Sequence, residues 1–237
     1  MAKRQKLWTN ILSNFAIICL TFSVGLVCFT PNEAVTTAGK EKVYRSGYSK
    51  SGVSLMFNVY WGTEEVYQIL DILDEYEAKS TFFIGGCWAD DNVQCLKDIA
   101  ERGHEIGNHG YFHKQHDKLS ETANREEILR CNQFISLAIG AAPQLFAPPS
   151  GAYSDATLSA ASRLQMKTVL WTKDTIDWRD KDTSLVYTRA TQGVEAGAMI
   201  LMHPMAHTVK ALPDILKEYK RRGLSAITVG ENLCLGG

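Results

Sequence analysis

The sequence lacks an excess of charge of either sign. Its 237 residues carry 25 Lys and Arg against 26 Asp and Glu, a formal charge of −1, with 45% hydrophobic residues. A nucleic-acid binder needs a basic surface and a disordered chain needs fewer apolar residues, so neither class fits. No C-x-x-C pair occurs among the six Cys, which argues against a structural zinc site or thioredoxin-type chemistry. Internal repeats and low-complexity segments are absent too, and the length suits one ample domain or two small ones.

A further absence is local. No charged residue lies between Lys6 and Glu33, and within that gap Phe15 to Phe29 (FAIICLTFSVGLVCF) is almost wholly apolar. Lys3, Arg4 and Lys6 precede it, and a basic tip before an apolar run indicates membrane targeting. The segment from Leu7 to Asn32 is long enough to span a bilayer, and the small-residue site near Ala38 has no A-x-A form. Residues 1–30 therefore read as a signal peptide or membrane anchor, with a retained anchor favoured. Positive-inside bias then places the remainder outside the cell, membrane-anchored on the extracellular face or secreted if the segment is cut. That remainder holds 22 basic against 26 acidic residues and is mildly acidic. Residues 31–50 are polar and aperiodic and read as a linker, which leaves 51–237 as the working domain. Its Cys87, Cys95, Cys131 and Cys234 could form disulfides outside the cell or serve as small buried hydrophobes. Val27 before Cys28 argues against lipidation.

Short apolar runs alternate with amphipathic stretches from residue 53 onward. Strands are expected at VSLMFN (53–58), STFFIG (80–85), HEIGNH (104–109), LFAPP, KTVLW, AMILMH and SAITV, about seven in all. Thr63, Glu64 and Glu65 offer a cap and acidic first turn to VYQILDILDEYEA. Ser120 caps a long helix that runs to about Ile139, with Gly140 after it. Further helices are expected over 155–164, 184–195 and 211–223. Repeated β then α units predict an α/β fold with a mainly parallel sheet, closed into a barrel or wound open. In such folds chemistry gathers at the carboxyl ends of the strands.

All six His fall in two windows, His104, His109, His113 and His116, then His203 and His207. His109 and His113 in GNHGYFH are four apart, a spacing that would put two imidazoles on one face of a helical turn to share a metal ion. Gly110 occupies the place where H-E-x-x-H needs its Glu, which removes that class of metalloprotease. His104 is expected to begin a strand and make structural hydrogen bonds. His203 ends an apolar strand before Pro204, where it could act as acid or base, and His207 is expected in a surface loop. Asp174 and Asp177 follow KTVLW, so a carboxylate could orient His203. Trp178 and Tyr153 offer flat faces for a sugar ring, whereas Trp171 alone reads as core filling and Asp174 alone as a helix cap.

Taken in order, LMFNVYWG, HGYFH, FAPPSGAY, DTIDW and LMH resemble the five motifs of the polysaccharide deacetylase family with its NodB-homology domain, over roughly residues 50–230. The resemblance implies a distorted (β/α) barrel that removes acetyl groups from N- or O-acetylated carbohydrate polymers. It implies a divalent metal, zinc first, held by one Asp and two His, with a second Asp as base and a His as acid. His109 and His113 match the metal His, His203 the acid and Asp177 its carboxylate partner. Pro149 and Tyr153 match the motif that lines the site, and Trp178 and Leu201 the groove and pocket for the acetyl methyl. The implied partners are an acetylated polysaccharide such as peptidoglycan and, through the N-terminal segment, the membrane, with the protein a monomer and no nucleic acid bound.

Three departures stand out. Asn58 replaces the catalytic base, Val59 the metal Asp, and Ala147 the Arg that orients the base. An amide cannot accept the proton of a water as a general base, and Val offers no lone pair. Either a modified site works with another base, for which Tyr60 and Glu64 are the nearby candidates, or the chain is a catalytically silent glycan-binding or envelope scaffold relative. The expected function is a deacetylase-like hydrolase acting on carbon–nitrogen, non-peptide bonds of a cell-envelope glycan, with the silent binder as the alternative.

Overall fold

The strands follow from short runs of β-branched and aromatic residues, and their alternation divides the buried side chains among a main core, the barrel interior and a smaller third cluster. The computed structural model describes residues 42–235, and the expected apolar targeting segment lies outside the described residues. Among the described residues no helix is long and apolar enough to cross a membrane. The strands are β1 Val43–Tyr44, β2 Gly52–Val59, β3 Thr81–Ile84, β4 Glu105–Asn108, β5 Leu145–Phe146, β6 Lys167–Val169, β7 Lys173–Asp174, β8 Met199–Met202 and β9 Ser225–Ala226. Every ladder is parallel, in the order β1-β6-β5-β4-β3-β2-β8-β7, with β9 on the start of β2.

The expected distorted barrel of parallel strands is what the chain forms, with nine strands among the described residues where seven were expected. The closure comes from one extended segment, residues 167–174. Its first half pairs with β5 and β1 and its second half with β8, linked by Thr172 N–H donating to the Met199 carbonyl at 2.8 Å. Two-residue strands carry no periodicity, which is why β1 and β7 escape a sequence reading. The expected linker also contributes to the domain. Val43 pairs with Thr168, Gly47 N–H donates to the Gly197 carbonyl and Tyr48 N–H to the Asn232 carbonyl, each at 2.7 Å.

All eight residues of β2 are buried, and successive side chains point to opposite faces. Val53, Leu55, Phe57 and Val59 join Phe82, Ile84, Ile106, Ile200 and Met202 under the helices. Met56 joins Phe83, Leu145, Ala147, Val169 and Met199 in the interior of the barrel. Asn58 lies on that interior face, at the carboxyl end of the central strand.

The outer layer comprises α1 Thr63–Glu75, α2 Gly86–Asp91, α3 Val93–Glu101, α4 Glu121–Ile139, α5 Asp155–Arg163, α6 Asp177–Asp180, α7 Thr183–Thr191, α8 Ala206–Arg221 and α9 Val229–Asn232. Ser120 caps α4 by accepting from Ala123 N–H, and Gly140 ends it with φ 74°, as expected. At α1 the cap residue is Gly62, with φ 78°, where a Cβ would lie 2.6 Å from the Pro204 carbonyl oxygen. Thr63 is instead inside the helix, donating to Asn92 Oδ1 at 2.8 Å and accepting from Trp88 Nε1 at 3.2 Å. α8 begins five residues before the expected start, so His207 sits in its first turn and not in a loop. The four described Cys are free thiols, Cys95 and Cys131 buried, Cys87 and Cys234 exposed.

His104 departs from expectation. It precedes β4 with its ring against Phe82, and both ring nitrogens are buried without a hydrogen-bond partner among the described residues. Burial, with a smaller push from the Lys79 charge, lowers its pKa from 6.5 to about 4. The unfolded chain therefore takes up this proton near pH 6.5 and the folded chain only near pH 4, so stability falls as pH drops through that window. Replacing His104→Leu should make urea denaturation less pH-dependent between pH 7 and 4.5, by a slope of about one proton. His109, His113 and His116, also lowered by burial, retain the remaining slope. A variant with the wild-type slope would show that His104 does not titrate in this way.

Candidate functional site

The carboxyl ends of the strands surround a pocket of about 450 Å³. β2 delivers Asn58, Tyr60 and Trp61, and the segment after β4 delivers His109 and His113. The turn after β5 supplies Ser150, residues 171–178 supply Trp171, Asp174 and Trp178, and β8 ends in Leu201 and His203.

His109 and His113 meet, but not through a helical turn. Residues 109–115 form a loop in which Gly110 has φ 77° and His113 φ 53°. A side chain at Gly110 would press its Cβ to 2.9 Å from His116 Nε2, so the turn requires glycine. Asn108 fixes the loop from behind. Its amide nitrogen donates to the Ile128 carbonyl at 2.8 Å and to Asn132 Oδ1 at 2.6 Å, while its oxygen accepts from Gly110 N–H at 2.7 Å. The two imidazole centroids end 5.1 Å apart at 64°. His109 donates its Nδ1 proton to the Ala147 carbonyl at 2.7 Å, which fixes the tautomer and leaves Nε2 as a free acceptor. Burial, then the neighbouring His113, holds its pKa well below the ordinary range.

His203 is held by a denser network. Asp177 Oδ1 accepts from His203 Nδ1 at 2.8 Å and from Trp178 N–H at 2.9 Å. Its Oδ2 accepts from His203 N–H and from the Thr208 hydroxyl, each at 2.7 Å. Burial by itself would raise the Asp177 carboxyl, yet the hydrogen bonds and charge of His203 together with Thr208 hold it below the usual range. His207 Nε2 donates to the Asp177 backbone carbonyl at 2.6 Å, so the first turn of α8 braces the same residue. The Trp61 ring lies parallel to His203 at 3°, centroids 5.6 Å apart.

The positions that depart from the family pattern are equally defined. Asn58 is 3% exposed and its side-chain oxygen has no hydrogen-bond partner among the described residues. Val59 turns outward into the main core, and Ala147 packs with Met56, Phe83 and Leu145 in the interior. Tyr60 stacks on His113 at 3.7 Å between centroids. A resident divalent ion would find two neutral imidazoles and one neutral amide. Among the described residues no third His, Cys, Asp or Glu converges with them. Zinc sites rest on thiolate, imidazole and carboxylate donors, three at the least, so this donor set does not fit the metal that the resemblance implies.

Of the residues expected to bind a sugar, Trp178 is 49% exposed at the pocket and Leu201 is buried in its wall. Pro149 is buried under Gly110 and Tyr153 is partly exposed, and neither lines the pocket. Glu64 is exposed on α1, outside the lining, with Gln68 as its neighbour. Trp61 and Ser150 were missed, Trp171 reads from sequence as core filling, and Asp174 as a cap or as a carboxylate that could orient His203, a role the structure gives to Asp177. Trp61, Ser150 and Trp171 follow strand ends and Asp174 is the last residue of β7, the positional signal that could have found them.

The sequence profile of the polysaccharide deacetylase family matches residues 45–169. An uncharacterized protein of Bacillus subtilis, YlxY, is 39% identical over 85% of this chain, which spans 63% of that protein's length. A peptidoglycan-N-acetylglucosamine deacetylase of Bacillus cereus is 33% identical over 70% of this chain and 80% of its own. The crystal structure of BA3943 from Bacillus anthracis, described as a CE4 family pseudoenzyme, is similar with a TM-score of 0.79 at 34% identity. That match covers 82% of this chain and 70% of the other, and a BA3943 mutant is described as having restored enzymatic activity.

Because Asp177 satisfies four buried donors, Asp177→Ala should lower unfolding free energy by about 3–5 kcal/mol at pH 7. Thr208→Val, which removes one donor, should cost about 1 kcal/mol. Chemical denaturation measures both, and equal effects would contradict the network.

Proposed function

Because the chain belongs to the polysaccharide deacetylase family, we propose that it binds the N-acetylated glycan of peptidoglycan at this pocket, without metal-dependent hydrolysis. The observation that carries the reading is the neutral set at the end of β2. Asn58 lines the pocket where the family's base would stand, and Val59 is packed into the core in place of a ligand. Among the described residues no carboxylate converges with the two imidazoles to give zinc an anionic partner, and the amide at position 58 cannot accept a proton from water as Asp does. The exposed face of Trp178 and the apolar wall of Leu201 support glycan binding in their own right. The names of the B. cereus deacetylase and the B. anthracis pseudoenzyme agree with the ligand class and with silence, respectively.

One observation favours a second reading, residual deacetylation. His203 and Asp177 keep the geometry of an acid and its carboxylate partner, and loss of a general base typically costs ~10²–10⁴ in rate without removing every other contribution. An envelope ligand also agrees with an exported protein, tethered by residues 1–30 or secreted after their removal. On this reading the protein acts as a monomer and binds no nucleic acid.

The test uses the full-length chain, purified cell wall and acetate detection. Co-sedimentation with peptidoglycan is expected, weakened about threefold to tenfold by Trp178→Ala, and acetate release is expected to be the same with and without Zn²⁺. Zinc-dependent acetate release would overturn silence in favour of the second reading, and absence of binding would overturn the glycan reading.

A further inference from the structure

We propose that Asn58 and Tyr60 read the acetamido group of the bound sugar through neutral hydrogen bonds, Asn58 at its N–H and Tyr60 at its carbonyl oxygen. This inference rests on the glycan-binding reading above and names the side chains that would select an acetylated ligand.

Asn58 is the starting point. Its amide is 3% exposed on the interior face of the barrel, lines the pocket, and leaves its oxygen without a partner. Buried polar groups in native proteins are normally satisfied, and an orphaned acceptor beside a pocket marks a place where a ligand can complete the bonding. An amide oxygen accepts, and its χ2 torsion is soft enough to turn that oxygen toward a donor in the pocket.

Tyr60 supplies the complement. Its ring is held between His113, stacked at 3.7 Å and 27°, and Trp61, edge-on at 3.9 Å and 81°. The direction of its phenol is therefore set by packing. A phenol carries an O–H that can donate. The hydroxyl makes no hydrogen bond within the described residues, and it is free to donate to a carbonyl.

The acetamido group has one donor, one acceptor and a methyl. Asn58, Tyr60 and Leu201 offer one acceptor, one donor and an apolar wall within the same pocket. A free ammonium in its place brings three donors and a charge, with no acetyl carbonyl for Tyr60. The lining carboxylate, Asp174, already has Oδ1 engaged by Ile176 N–H at 2.7 Å. The neutral amide at position 58 thus favours the acetylated sugar.

Titration calorimetry on the full-length chain tests this, with a tetramer of N-acetylglucosamine and the same tetramer bearing free amines as probes. The wild type should prefer the acetylated tetramer by about tenfold or more. Asn58→Leu and Tyr60→Phe should each reduce that ratio by about threefold to tenfold, and Asn58→Asp should turn it toward the amine, since a carboxylate attracts the ammonium. Acetyl preference retained in Asn58→Leu and Tyr60→Phe would overturn this inference while leaving the glycan reading standing. Binding of neither tetramer by the wild type would overturn both.

Discussion

Because every side chain of Gly52–Val59 is buried, the strand's two-residue alternation decides what each face of the barrel contains. Odd positions bind the helical shell to the sheet, and even positions fill the interior and end at the pocket. The last two residues are where this constraint meets chemistry. Asn58 falls inside, and Val59 falls outside among packed apolar groups. A shift of one residue in register would exchange them and expose the core face of the strand. The content of the pocket is thus tied to the packing of the whole domain.

The pocket is asymmetric for a related reason. On one side Asp177 gathers two bonds from His203, one from Thr208 and one from Trp178, so a buried carboxylate is fully satisfied. On the other side the groups that line the pocket, Asn58, Tyr60, His109 and His113, are all neutral. His109 is neutralised by burial and oriented by the Ala147 carbonyl, and Ala147 itself closes an apolar cluster beneath. An Arg in place of Ala147 would bring a guanidinium into that cluster beside an uncharged Asn58. An unpaired buried charge of this kind costs several kcal/mol. The three departures from the family pattern are therefore mutually consistent, since each removes the partner that another would need.

Much of this was legible in the sequence where a local rule governs. Ser120 and Gly140 bound α4 because a side-chain acceptor and a left-handed glycine act within one turn. The apolar runs located the central strands, and the positions after them contained the pocket. Where tertiary contact governs, the local reading was misled. The spacing of His109 and His113 suggests a helical turn, yet the positive φ of Gly110 and His113 brings the rings together through a loop. Thr63 reads as a cap, but the close approach of Pro204 makes Gly62 the cap residue and leaves Thr63 to bond Asn92 and Trp88. α8 starts early because Thr208 and His207 are fixed to Asp177, a residue that no local rule connects to them.

Tyr60 shows how a neighbour of the altered positions can shape a site beyond the loss of a ligand. A carboxylate restored at position 58 or 59 would still meet a ring stacked on His113, one of the two imidazoles a metal would use. That ring is braced by Trp61, and Trp61 in turn lies parallel to His203. The aromatic row therefore runs from the neutral His pair to the Asp177-bound histidine. Aromatic faces and neutral hydrogen-bonding groups hold a sugar through contact area and directional bonds, neither of which requires a cation. The residues that offer a metal few donors are thus the same ones that give the pocket its aromatic faces and neutral hydrogen-bonding groups.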